Sequence, residues 1–105
     1  MRLTLEQQRE LRSALLRCFG KSARLWVFGS RVDDAARGGD FDVLVQTDEH
    51  NAAHLIDAKL AFLATLHDTP AFEGERIDVV LRSTALDPQP RTIHSAALQE
   101  GIELK

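Results

Sequence analysis

Cysteine is nearly absent: Cys18 stands alone in 105 residues. One thiol can form neither an internal disulfide nor a cysteine-based zinc site. Cys18 falls within an apolar helical pattern, where a small core residue is the expected role, and a chain without disulfides is expected in the cytoplasm. Long apolar runs are missing as well. None approaches the ~20 residues that a membrane helix needs, so no membrane partner is expected. The opening Met1-Arg2-Leu3-Thr4-Leu5-Glu6-Gln7 turns polar at once, and no signal peptide is read there. Basic charge is not in excess. Thirteen Lys and Arg face sixteen Asp and Glu, for a net charge of −3. That is not the footprint of a protein that grips a nucleic-acid backbone. Repeats, low-complexity segments and linkers are missing too, so residues 1–105 are expected to form a single domain.

What the chain does have is a clear order of elements. Thr4 followed by Gln7 reads as a capping box, opening a helix to about Phe19 with Gly20 as its stop. Leu11, Leu15, Cys18 and Phe19 recur at helical spacing as its buried stripe, and Glu6, Arg9, Glu10 and Arg12 make a solvated face. Leu25 to Phe28 is a first strand. A polar loop from Arg31 to Gly39 leads to a second strand, about Phe41 to Gln46. Thr47-Asp48 offers a cap for a helix from about Glu49 to His67. On it Leu55, Ile56, Leu60, Phe62, Leu63 and Leu66 cover nearly half the circumference, expected as core and otherwise as a partner surface. Thr69 to Glu75 is a loop. A third strand spans about Arg76 to Arg82, a short helix about Thr92 to Gln99, and Ile102 to Leu104 a last strand. The fold class expected is α/β (α+β), a mixed β-sheet backed by helices.

Acids placed inside apolar strands carry the chemistry. Asp40 and Asp42 flank Phe41 and lead straight into Val43-Leu44-Val45; Asp78 sits within Ile77-Asp78-Val79-Val80-Leu81. Asp is depleted from strands, and a buried carboxylate is costly without a partner. Alternate strand residues share a face, so Asp40 and Asp42 point one way while Phe41, Val43 and Val45 point the other. If the second and third strands are neighbours, the three carboxylates converge. Like charges that close call for cations, and hard oxygen ligands in an open site favour Mg²⁺ or Mn²⁺ with substrate phosphates. Gly29-Ser30 ends the first strand and lets backbone approach a phosphate closely, with a hydroxyl and an amide to offer. Arg31 can neutralise phosphate charge. Separately these signals are weak: a Gly-Ser pair is usually a turn, and Asp-x-Asp is often a strand edge or a cap.

Together, Phe28-Gly29-Ser30-Arg31 through Asp40-Phe41-Asp42-Val43-Leu44-Val45 resembles the signature of the minimal nucleotidyltransferases, the smallest members of the DNA polymerase β-like superfamily. The resemblance extends over Arg76-Ile77-Asp78-Val79-Val80 and the Glu100-Gly101-Ile102-Glu103-Leu104 tail. Nine residues separate Ser30 from Asp40, and Arg37-Gly38-Gly39-Asp40 resembles a recurrent variant of the loop. The resemblance implies a polymerase β palm-like sheet with ATP and two Mg²⁺ at one end. Asp40, Asp42 and Asp78 would be the catalytic, metal-holding acids, and Gly29, Ser30 and Arg31 would hold the nucleotide phosphates. It also implies a partner, a HEPN-domain ribonuclease toxin that this chain would adenylylate as its antitoxin. The chain has no tyrosine and cannot modify itself on one. Two other readings stay open: a catalytically silent module that neutralises a partner by occlusion, and a small-molecule nucleotidyltransferase working as a homodimer.

Other candidates receive plainer readings. His50 and His54 lie four apart near a helix start without a third ligand and are expected as exposed side chains. His67 belongs near a helix end, where a cation is favourable. His94 has no evident partner. Asp33 and Asp34 read as turn formers or caps. Arg76 and Arg82 bracket the third acid strand and are expected in surface ion pairs.

Overall fold

The structure, a computed structural model, describes residues 3–28, 41–86, 89 and 92–104. Helix α1 spans Leu5–Phe19. The Gln7 amide donates to the Thr4 hydroxyl, and the Thr4 amide donates to Gln7 Oε1, each at 3.0 Å. This reciprocal pair is the capping box that the sequence announces. The helix stops at Gly20, whose φ of +92° suits a residue without Cβ.

Strand β1 (Arg24–Phe28) pairs antiparallel with β2 (Phe41–Thr47), placing Phe28 opposite Asp42. Helix α2 (Ala52–His67) carries the chain to β3 (Ile77–Ser83), which runs parallel to β2. A parallel neighbour requires such a crossover, because a tight hairpin cannot reverse the chain twice. Helix α3 (Thr92–Glu100) returns it to β4 (Ile102–Leu104), antiparallel to the other edge of β1. The sheet order is β3-β2-β1-β4. This mixed sheet with three helices is the α+β architecture expected from the sequence.

Strand parity divides the core in two. Leu25, Val27, Phe41, Val43, Val45, Ile77 and Val79 face α1 and α2, where they meet Leu11, Ala14, Leu15, Phe62 and Leu66. Trp26 and Leu44 face the other way and pack with Ala97 of α3. Edge-to-face rings reinforce the larger layer: Phe19 on Phe62 at 5.6 Å, and Phe41 on Phe72 at 5.1 Å. On the α3 face Arg24 lies 4.8 Å over the Trp26 ring and grips Glu103 of β4 with two hydrogen bonds of 2.8 Å. Those bonds raise the already high pKa of the Arg24 guanidinium.

Three expectations are corrected. Helix α2 begins at Ala52, not Glu49, because Thr47 stays buried in β2 while Asn51 Oδ1 accepts from the Ala53 and His54 amides. The expected loop after α2 contains a 3₁₀ turn, Pro70–Phe72, which drops Phe72 into the core. The apolar arc of α2 is wider than the sheet covers: Leu55, Phe62 and Leu66 are buried, but Ile56 and Leu60 remain 57% and 60% exposed.

Gly101 joins α3 to β4 where no side chain fits. A Cβ there would meet Val27 O at 3.0 Å, Phe28 Cβ at 3.2 Å and Ala97 O closer still. Around Gly20 such an atom would find open space. We therefore expect Gly101→Ala to cost about 1–3 kcal/mol in a urea unfolding titration, through overpacking. Gly20→Ala should cost only about 1 kcal/mol, through its backbone conformation.

Candidate active site

The start of β2 is pinned from below. Phe41 is fully buried against Phe72, and its amide donates to Arg76 O at 2.8 Å. With Phe41 locked inward, Asp42 is turned to the opposite face. There it lies directly beside Asp78 in the parallel register and beside Phe28 across the antiparallel one. Neighbouring strands stand about 4.8 Å apart, so the two carboxylates are adjacent. Asp42 is half-buried and Asp78 exposed. The pair marks the end of the sheet where β1 delivers the chain to Gly29.

Gly29, Ser30, Arg31 and Asp40 lie outside the described residues, as do Asp33, Asp34 and the rest of the expected signature loop. Among the described residues no group of three or more His, Cys, Asp or Glu side chains could hold a metal ion. The expected trio is represented there by Asp42 and Asp78. Their chemistry fits a divalent cation. Two hard-oxygen donors are set at neighbouring register positions on one face, the donor type that Mg²⁺ or Mn²⁺ prefers.

A family model described as the nucleotidyltransferase domain matches residues 8–98. The chain belongs to that family. The match runs from α1 into α3 and so takes in both acids and the segment between β1 and β2. As a nucleotidyltransferase domain it is a transferase of nucleotidyl groups, and such domains generally use a nucleoside triphosphate with divalent metals. No curated protein matches the chain significantly. No helix among the described residues is long and apolar enough to cross a membrane.

The remaining candidates resolve as follows. His50 is exposed, and His54 Nδ1 lies 3.8 Å from Glu49 Oε1 at the surface. Cys18 is half-buried against the larger core. His67 sits in the last turn of α2. His94, without an evident partner in the sequence, is buried with Nε2 3.1 Å from Leu81 O, tying α3 to β3. Arg82 was expected in a surface ion pair; instead its Nη1 donates to Gln46 Oε1 at 2.6 Å. No reading of one strand reveals that contact, because it depends on the register between two.

A cleft of about 220 Å³ lined by Arg12, Lys21, Arg24 and Glu103 opens at the far end of β1 from the acids, so it does not serve this site. The acid pair itself generates a prediction. In metal-free buffer Asp78→Asn should raise the urea midpoint, by an amount worth up to about 1 kcal/mol, because it removes one of two like charges set side by side. An unchanged or lowered midpoint would show that the carboxylates do not repel.

Proposed function

We propose that this nucleotidyltransferase transfers AMP from ATP to a hydroxyl on a partner protein, as the antitoxin of a HEPN-domain toxin. The observation that carries the reading is the in-register placement of Asp42 beside Asp78, next to the strand that runs into Gly29-Ser30. The resemblance of Phe28 to Val45 to the minimal nucleotidyltransferases supplies the rest.

In this mechanism Gly29, Ser30 and Arg31 hold the β- and γ-phosphates, with glycine allowing close backbone approach. Asp40, Asp42 and Asp78 would hold Mg²⁺ (or Mn²⁺), which when bound would supply charge neutralisation at the α-phosphate of the transferred nucleotidyl group. The acceptor oxygen forms a bond to the α-phosphorus as the bond from that phosphorus to the β-bridging oxygen breaks. Pyrophosphate leaves with the electron pair. Asp78, exposed and on the outer strand, takes the hydroxyl proton. Asp42, half-buried and fixed by the Phe41 anchor, holds its position through the reaction. Most of the acceleration then comes from positioning and charge stabilisation.

The chain and the product of its neighbouring gene should be incubated with ATP and Mg²⁺ or Mn²⁺, and intact masses recorded. The partner should gain the mass of AMP, and Asp42→Asn should slow that gain by roughly 100-fold or more. A partner mass that never rises with either metal excludes the reading.

One observation favours a second reading, neutralisation by occlusion. Ile56 and Leu60, one turn apart on α2, leave apolar area in solvent. In cells expressing the partner, Leu60→Asp should abolish protection while Asp42→Asn preserves it if occlusion is the mechanism. The opposite pattern belongs to the enzyme.

A further inference from the structure

The positive charge of this chain is concentrated in one stretch. Residues 9–24 hold Arg9, Arg12, Arg17, Lys21 and Arg24 against one acid, Glu10, in a chain of net charge −3. Three of these cations, Arg12, Lys21 and Arg24, line the cleft of about 220 Å³ at the end of β1 remote from Asp42 and Asp78. Its floor is aliphatic, made by Leu15, Leu16, Ala23 and Leu104, and Leu16 is 55% exposed. Glu103 and Leu104 both line the cleft although successive strand residues point to opposite faces, so it wraps around the margin of the sheet. On α1 the surface continues from Leu16 through Arg12 and Arg9 to exposed Leu5, a single stripe at helical spacing.

Arg24 is set in place before any ligand arrives. Its Nε and Nη2 donate to Glu103, and the guanidinium lies over Trp26. Nη1 makes no hydrogen bond among the described residues, and about half of the side chain is open to solvent. Lys21 is exposed and makes no ion pair among the described residues. Prepositioned cations beside an aliphatic hollow suit an acidic group joined to an apolar one.

The size and lining of the hollow decide the class of ligand. It exceeds the ~150 Å³ that holds a benzene ring and falls short of the ~300–1,000 Å³ of small-molecule sites, so it takes one side chain. No aromatic ring lines it, so it offers no platform for a nucleic-acid base. Glu103 within it repels a run of phosphates. The net negative charge of the chain repels an acidic segment elsewhere, which leaves this patch as the place that attracts one.

We propose that this cleft docks an acidic segment of a partner protein, with one large apolar side chain in the hollow and Asp or Glu meeting Lys21 and Arg24 Nη1. Arg24 and Phe28 are separated by about 13 Å of strand, so a docked segment leaves Asp42 and Asp78 uncovered. The seat goes beyond the antitoxin reading and does not rest on it.

The test uses the full chain without nucleotide or metal. A display library of random peptides is panned on it, and the enriched sequences are synthesised with a fluorescent label. They should carry several acids around one Leu, Ile, Met or Phe. The best should bind at least about 10-fold tighter than its versions with Gln for the acids or Ala for the anchor. Its affinity should fall as salt rises, and the Leu16 and Leu104 methyl resonances should move as it binds. Lys21→Glu, at an exposed position, should weaken binding about 10-fold. Lys59→Glu makes the same charge change outside the cleft and should leave binding unaltered. Failure to enrich acidic sequences overturns the proposal, and so do Leu16 and Leu104 resonances that stay still as the peptide binds. An oligouridylate or an anionic lipid vesicle that moves those resonances at lower concentration than the peptide overturns it in favour of a phosphate-bearing ligand. AMP transfer plays no part in these outcomes, so this seat and the antitoxin reading stand or fall separately.

Discussion

Everything at this site depends on the register of one strand. β2 is hydrogen-bonded on both edges, antiparallel to β1 and parallel to β3, and apolar side chains cover both of its faces. Phe41, Val43, Leu44 and Val45 are all fully buried. Each such side chain contributes about 1.5–3 kcal/mol, so a slip by one residue would place Asp42 in the core and Phe41 in solvent. The Phe72 ring beneath Phe41 makes that slip costlier still. Core packing on one face therefore sets the chemistry on the other.

That arrangement runs against local stability. Like charges at neighbouring strand positions disfavour a sheet in general, and an arginine Nε–H buried without an acceptor is costly as well. Local choices that conflict with the fold concentrate at functional sites. Both features fall on one face of the sheet.

Much of this was legible from the residues. The alternation of acids with Phe41, Val43, Ile77 and Val79 stated the parity of β2 and β3 before any coordinates, and Thr4, Gln7 and Gly20 marked both ends of α1. The misses have physical causes. Thr47-Asp48 looked like a helix cap, but the strand kept Thr47 and Asn51 took the role. Phe72 sits in a single 3₁₀ turn too short to show a period. Periodicity gives the width of an apolar arc but not how much of it a narrow sheet can cover, so Ile56 and Leu60 seemed to be core. Gln46 and Arg82 were each visible as polar strand residues, but their pairing appears only once β2 and β3 are placed in register.

The two pairs on this face are chemically opposite and electrically separable. The Debye length at physiological ionic strength is about 8 Å, shorter than the ~13 Å between Asp78 and Arg82. Arg82 therefore does little to discharge the acids. Leu44 and Val80 fill the space between the pairs, with α3 packed over Leu44. That apolar layer prevents a long side chain at one end from folding onto the other. A single strand register thus sets an acidic pair and a glutamine–arginine pair at opposite ends of one surface.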